Sequence, residues 1–211
     1  MSNSTVDNPF FARFWTFMSA REPESVRAWR REVLAAVSGR VLEVGAGTGT
    51  NFALYPDSVT EVVALEPERR LTPIARKAAL SAPVPVTVCD TTIESLDAGE
   101  PFDAVVCSLV LCSVDQPEAV LQQIFSILRP GGELRYLEHI ASAGARGRLQ
   151  RLADATVWPR LFGNCHTHRD TERAIADAGF RPQTARHDLE FPAWVPMPVS
   201  EVVIGRAVKP A

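Results

Sequence analysis

Apolar positions along this chain change period twice. Near the N-terminus Phe10, Phe11, Phe14, Trp15 and Phe17 recur at one-, three- and four-residue steps, the spacing of one helix face. Residues 23–37 read as a second helix, with Pro23 near its first turn and Gly39 beyond its end. From residue 40 the pattern becomes short apolar runs at 40–44, 61–65, 84–89, 103–107 and 133–138. Helical stretches at 71–80 and 117–128 lie between them, the second stopped by Pro130-Gly131-Gly132. Strands alternating with helices imply parallel βαβ units, and runs that are apolar on both faces imply a sheet covered on both sides. After residue 140 the pattern changes again. Residues 145–161 and 170–178 read as helices, followed by strand candidates at 184–190 and 199–208 with no helix between them. Without a crossover helix that last pair should run antiparallel. The pattern therefore predicts an α/β fold of five parallel strands with an antiparallel pair at one edge.

Composition narrows the class. A length of 211 residues suits one domain with modest additions, and 46% hydrophobic with 22% charged residues is that of an ordinary soluble globular protein. A net charge of −3 argues against a dedicated nucleic-acid binder, so no nucleic-acid partner is expected. No run of about 18 apolar residues is present, and the N-terminus lacks a signal-peptide pattern. The four cysteines form no CxxC pair, and Cys89 and Cys107 end apolar runs as small core residues do. A reducing, cytoplasmic setting is the expectation.

Chemistry gathers at the strand ends, where open α/β sheets bind ligands. Strand one runs into Gly45-Ala46-Gly47-Thr48-Gly49, a turn whose glycines allow close backbone approach. The third glycine comes one residue too early for a dinucleotide fingerprint, and Glu43 lies two residues before the first. A carboxylate there repels a pyrophosphate and suits a cationic amino group. Glu66, followed by Pro67, ends strand two and can accept from both hydroxyls of a ribose. Asp90 ends strand three and can accept from an adenine amino group. A single acid could be a solvated strand end or a helix cap; three at successive strand ends point to one nucleoside-bearing ligand.

These segments carry a resemblance. The runs LEVGAGTGTNF, LEP, CD, FDAVVCSLVLCSV and LRPGGELRYLEH are similar to class I S-adenosylmethionine-dependent methyltransferases of the ubiquinone/menaquinone-methylase-like superfamily, over roughly residues 38–208. The resemblance implies a Rossmann-like, doubly wound, seven-stranded sheet of order 3-2-1-4-5-7-6 with strand seven antiparallel. It implies S-adenosyl-L-methionine as cofactor. Glu43 and the turn Gly45, Ala46, Gly47, Thr48, Gly49 would hold its methionine part, Glu66 with Pro67 the ribose, and Asp90 with Thr91 the adenine. Ser108 and Leu109 would line the sulfonium side. Residues 1–37 then stand as an N-terminal helical lid segment and residues 38–211 as the methyltransferase domain.

The acceptor belongs above the ends of strands four and five, where Cys112, Ser113, Glu138 and His139 fall. His139 is the candidate catalytic residue, as base or orienting group; its alternative is a plain loop hydrogen bond. The stretch Gly163 to Asp170 supplies His166 and Arg169 to the acceptor pocket, and Asp170 caps the next helix. Cys165, His166 and His168 are too closely spaced, without a distant pair, to make a zinc signature, so no metal is expected. The VVCSLVLCSV and LEH runs, Trp158 with Pro159, and the G-x-C-x-x-x-R-D-T stretch resemble thiol methyltransferases of the methyltransferase-like-7 group and their bacterial relatives. That implies an alkyl thiol among small-molecule acceptors, with Cys112, Glu138, His139, Trp158, His166 and Arg169 around it. A thiol of pKa about 8.5 is partly thiolate at neutral pH and within reach of activation by a cationic His or Arg169. Quinones, phenols and lipid amines of the phosphatidylethanolamine type remain alternative acceptors, and a non-catalytic cofactor-binding module an alternative class. The aromatic segment 9–18 reads either as a lid over the site or as a weak membrane-surface contact.

Overall fold

The structure, a computed structural model, describes residues 7–156, 158–192 and 194–211. Most of the polar N-terminal stretch, residues 1–6, lies outside the described residues. Two helices, α1 (Pro9–Ser19) and α2 (Glu24–Leu34), precede the first strand β1 (Gly39–Val44). β2 (Val59–Leu65), α3 (Thr72–Ala79), β3 (Val86–Cys89), β4 (Phe102–Ser108), α4 (Pro117–Ile127) and β5 (Leu128–His139) follow in alternation. The chain closes with α5 (Gly144–Asp154), α6 (Trp158–Leu161), α7 (Thr171–Asp177), β6 (Arg181–Leu189) and β7 (Glu201–Val208).

The seven strands form one sheet of order β3-β2-β1-β4-β5-β7-β6. The first five are parallel, and β7 runs antiparallel to both β5 and β6. The order reverses between β1 and β4, so the chain crosses the sheet there and leaves a crevice at their carboxyl ends. Alternation along the strands feeds two cores. Leu42, Val105 and Cys107 join Leu121 and Ile124 of α4 on one face; Val41, Ala104 and Val106 join Trp29, Val33 and Leu34 of α2 on the other. Each fully buried Leu or Val contributes about 1.5–3 kcal/mol over exposure, so these two layers fix where the strand ends lie.

Three sequence expectations change. The helix expected over 145–161 is two helices, α5 and α6, with a turn at 155–156 after the first. The Pro130-Gly131-Gly132 stop lies inside β5: pairing with β4 jumps from Phe102–Leu128 to Ala104–Glu133, a bulge that bends the strand without ending it. The segment 1–37 divides, because α2 buries Val26, Trp29, Val33 and Leu34 against the sheet and is a layer of the domain. α1 instead lies against the turn after β1. Its aromatic set also divides: Phe10 and Phe17 are exposed, whereas Phe11, Phe14 and Trp15 turn partly inward. Among the described residues no helix is long and apolar enough to cross a membrane.

Candidate active site

The glycine turn after β1 has φ of +68° at Gly45, +59° at Gly47 and +80° at Gly49, a region L side chains rarely adopt. Gly47 also makes room: a Cβ there would lie 2.6 Å from Nε1 of Trp15. The indole of α1 therefore rests directly on the turn. Thr48 Oγ1 donates to Ser19 Oγ at 3.0 Å, and the Asn8 N–H donates to the Glu68 carboxylate at 2.6 Å, so both ends of α1 are tied to the site. Ala46 is fixed by its N–H on the Leu65 carbonyl at 2.9 Å.

Two buried acids lie at this turn. Glu43 accepts from Asn51 Nδ2 at 3.0 Å and from the Tyr55 hydroxyl at 2.7 Å. Asn51 in turn accepts from Arg30 Nη1 at 3.1 Å, while its Nδ2 reaches Ser108 Oγ at 3.2 Å. Arg30 is buried and pairs with Glu22 through Nε at 2.8 Å, yet its Nη2 has no hydrogen-bond partner among the described residues. Glu66 accepts from the Gly47 N–H at 2.6 Å and the Glu68 N–H at 2.8 Å, which closes a turn around Pro67. Burial pushes the Glu43 and Glu66 carboxyls each up to about 7, against the hydrogen bonds that favour ionisation. Buried acids without a direct cation and a buried guanidinium with an orphaned N–H form an incomplete set. S-adenosylmethionine carries the matching groups: a sulfonium and an ammonium for the acids, ribose hydroxyls as donors and a carboxylate for Arg30. The residues present fit it.

Asp90, at the end of β3, is exposed and 3.6 Å from Arg76, with half-buried Thr91 beside it. Leu109 follows β4 at φ +61°, a conformation that costs a non-glycine residue about 1–2 kcal/mol. Its N–H donates to the Leu137 carbonyl at 2.7 Å, and the bend sends Val110 across the glycine turn, 2.5 Å from where a Gly45 Cβ would be.

The loop 109–113 is held from beneath. Glu138 is fully buried and accepts from the N–H groups of Val110 at 3.0 Å, Leu111 at 2.9 Å and Cys112 at 3.2 Å. Glu138, which the sequence places at the acceptor, holds the loop 109–113 through these three bonds. Arg169 does similar work from the other side, donating to the Leu111 carbonyl at 2.6 Å. The His166 N–H donates to the Cys112 carbonyl at 2.8 Å, and His168 lies 3.0 Å from Arg151. Cys165, His166 and His168 therefore diverge. Trp158 packs tilted against Phe162 with ring centroids 4.2 Å apart, the Phe162 ring meets Phe14 edge-on at 5.2 Å, and the buried Trp158 Nε1 has no partner among the described residues. Asp170 caps α7, accepting from the Arg173 N–H at 3.2 Å.

His139 ends β5, 9% exposed. Its Nδ1 is 3.8 Å from Cys112 Sγ and 3.9 Å from Cys165 Sγ; its Nε2 is 3.4 Å from a Glu190 carboxylate oxygen. Burial opposes the imidazolium, but Cys112 and Glu190 favour it and prevail, raising its pKa to about 10. In its protonated form the ring is a poor general base and a good partner for an anion.

Sequence reasoning missed Arg30, Asn51, Tyr55 and Glu190. A polar residue just past the glycine turn was an available signal for Asn51. Arg30 sits in an amphipathic helix where a surface arginine is the ordinary reading, and Glu190 comes from the far end of the chain.

A model of the methyltransferase-domain family matches residues 15–185. The thiol S-methyltransferase TMT1B of Mus musculus is 34% identical over 95% of this chain and 86% of its own length. The thiol S-methyltransferase TMT1A of Homo sapiens is 32% identical over 76% of this chain and 68% of its own. Among solved structures, the N-methyltransferase NodS from Bradyrhizobium japonicum, in complex with S-adenosyl-l-homocysteine, has a TM-score of 0.67 at 16% identity, over 97% of this chain and 89% of that one. That last likeness is one of fold. By the family match, the chain belongs to the methyltransferase-domain family and is an S-adenosylmethionine-dependent methyltransferase.

Proposed function

We propose that the enzyme methylates a small-molecule thiol. The observation that carries this reading is the placement of His139: a buried ring backed by the Glu190 carboxylate stands beside two cysteines where the acceptor belongs. A thiolate is the acceptor such a site stabilises, whereas a neutral amine gains nothing from a cation next to its nucleophilic atom. The thiol S-methyltransferases among the relatives support it. Four free cysteines support a reducing, cytoplasmic setting. When bound, the cofactor supplies an electrophilic methyl group. Glu66 would hold its ribose, Glu43 and Arg30 its amino-acid end through the Asn51 network, and Asp90 with Thr91 its adenine. His139 would orient the acceptor sulfur, and Trp158 and His166 would border it.

The test is a panel of alkyl thiols, phenols, quinols and amines, including phosphatidylethanolamine, with product mass as readout. Thiols should dominate by kcat/KM, and His139→Ala should lose about 10²–10³-fold with them, the range for removing one group that stabilises an anion. A phenol, quinol or amine that outpaces every thiol would overturn the reading. Cofactor binding with no turnover on any acceptor would favour a non-catalytic module.

We further propose that α1 is a lid over the cofactor, since Trp15 rests on Gly47 and Phe14 on Phe162. Trp15→Ala should raise the cofactor Kd about tenfold, the equivalent of about 1.4 kcal/mol of lost contact, with the sheet intact by circular dichroism. Unchanged cofactor affinity together with lost liposome binding would instead make α1 a membrane-surface contact.

A further inference from the structure

Cys112, His139 and Cys165 come from three separate segments: the loop after β4, the last residue of β5 and the connection between α6 and α7. Their ligand atoms form a nearly equilateral triangle, with Sγ–Sγ at 3.9 Å and Nδ1–Sγ at 3.8 and 3.9 Å. A tetrahedral zinc ion with Zn–S about 2.3 Å and Zn–N about 2.05 Å asks for edges of about 3.8 Å between sulfurs and about 3.6 Å from nitrogen to sulfur. The donors already stand within a few tenths of an ångström of that geometry. All three residues are buried.

A second feature points the same way. The other ring nitrogen, Nε2, faces the Glu190 carboxylate at 3.4 Å. A carboxylate behind a histidine fixes the Nε2–H tautomer and leaves the Nδ1 lone pair facing the sulfurs, as metal-binding histidines require. The ligand-bearing loop is also held rigid: the Cys112 N–H is taken by Glu138 and its carbonyl by the His166 N–H. Among the described residues no fourth His, Cys, Asp or Glu joins the group. Three protein ligands with one open tetrahedral position is the arrangement of catalytic zinc sites, where the fourth ligand is exchangeable. The cluster adjoins the cofactor turn, because Val110, two residues before Cys112, lies over Gly45.

We infer that Cys112, His139 and Cys165 bind one zinc-class divalent cation, whose fourth position takes the acceptor thiol as thiolate; this rests on the thiol reading above. With the cation bound, Nδ1 of His139 is a ligand and carries no proton. A thiol that binds the cation gives up its proton to solvent. The thiolate sulfur then forms the new bond to the methyl carbon while the methyl–sulfonium bond breaks, its electron pair returning to the departing sulfur. The products are a neutral thioether and S-adenosylhomocysteine. The two cysteine thiolates cancel the dication's charge, so the bound acceptor retains its anionic character.

The test titrates cobalt(II) into the full-length, phosphine-reduced, metal-free enzyme. One equivalent should give the visible bands of tetrahedral cobalt and a near-ultraviolet thiolate charge-transfer band. Ethanethiol should raise that band by about half, as two sulfur ligands become three. Glu190→Gln should weaken cobalt binding about 10–100-fold with unchanged melting temperature, since it acts only by orienting the ring. Cys165→Ala should remove one sulfur's share of the band. Absence of a one-equivalent band, a band insensitive to ethanethiol, or wild-type cobalt affinity in Glu190→Gln would each overturn the inference. Methylation of the thiol panel is scored separately by product mass. A thiol-responsive cobalt band without any methylated thiol would support the cation site and sink the thiol-acceptor reading.

Discussion

Replacing Glu138 with alanine should destabilise the enzyme by about 3–5 kcal/mol, the range for removing one partner of a buried charged network. The carboxylate is fully buried and takes three consecutive backbone N–H groups, from Val110, Leu111 and Cys112. Alanine leaves all three donors without a partner in a site walled by protein, and unsatisfied donors carry the full desolvation cost. For a domain of this size that corresponds to a fall in Tm on the order of 10 °C. Glu138→Gln should lie between the two. Its amide oxygen can still accept, but its NH₂ group would meet a backbone donor head-on. Differential scanning calorimetry of the three proteins checks the order. A wild-type Tm in Glu138→Ala would remove the loop-holding role. The loop carries Leu109 at positive φ as well as Cys112, so acceptor turnover should fall further than folded fraction alone accounts for.

The second large effect is on the cofactor. Glu66→Ala should raise the Kd for S-adenosylmethionine by about tenfold to a hundredfold, or about 1.5–3 kcal/mol, through two lost charge-assisted bonds to the ribose hydroxyls. The same change frees the Gly47 and Glu68 N–H groups, so the glycine turn loosens as well. The pH dependence identifies the cause. Burial holds Glu66 and Glu43 at about 7 in the free enzyme, so both are largely protonated at pH 6. A cationic, hydroxyl-donating ligand favours their ionised forms. Affinity should therefore fall as pH drops below 7, by up to about tenfold per unit for each carboxyl, with protons released on binding. In the free enzyme the sign is opposite. An acid raised above its unfolded value binds more protons when folded, so its contribution to stability is present below about 4.5 and is lost as pH rises to about 7. Calorimetry in buffers of different ionisation enthalpy counts the protons. Wild-type affinity for a folded Glu66→Ala enzyme, or binding without proton release at pH 6.5, would remove Glu66 from the ribose.

Strand–helix alternation, the glycine turn and the acids at strand ends were legible in the sequence because each is local. A period of two or 3.6 residues, a positive φ that only glycine takes comfortably, and a carboxylate at the end of an apolar run leave their mark within ten residues. The seven-strand order came from resemblance, and β7 does insert between β5 and β6. The breaks were less legible. Pro130-Gly131-Gly132 reads as a stop in any local pattern, and only pairing with Phe102 and Ala104 makes it a bulge within β5.

What the tertiary structure alone decided is which side chains face one another across the crevice. Glu138 is a strand-end carboxylate like Glu66, yet the fold supplies it with three backbone donors, and it becomes a brace. Arg30 looked like one arginine among several on α2, until packing of that helix on the sheet buried it against Asn51 and Glu22. The run Cys165, His166, His168 invited a local metal reading and does not converge. Cys112, His139 and Cys165, 27 and 26 residues apart along the chain, do. Sequence spacing reports contacts only within one element. Sites at a strand-order reversal are assembled from the ends of different elements, and the packing of two hydrophobic cores, not any motif, sets the ångströms between them.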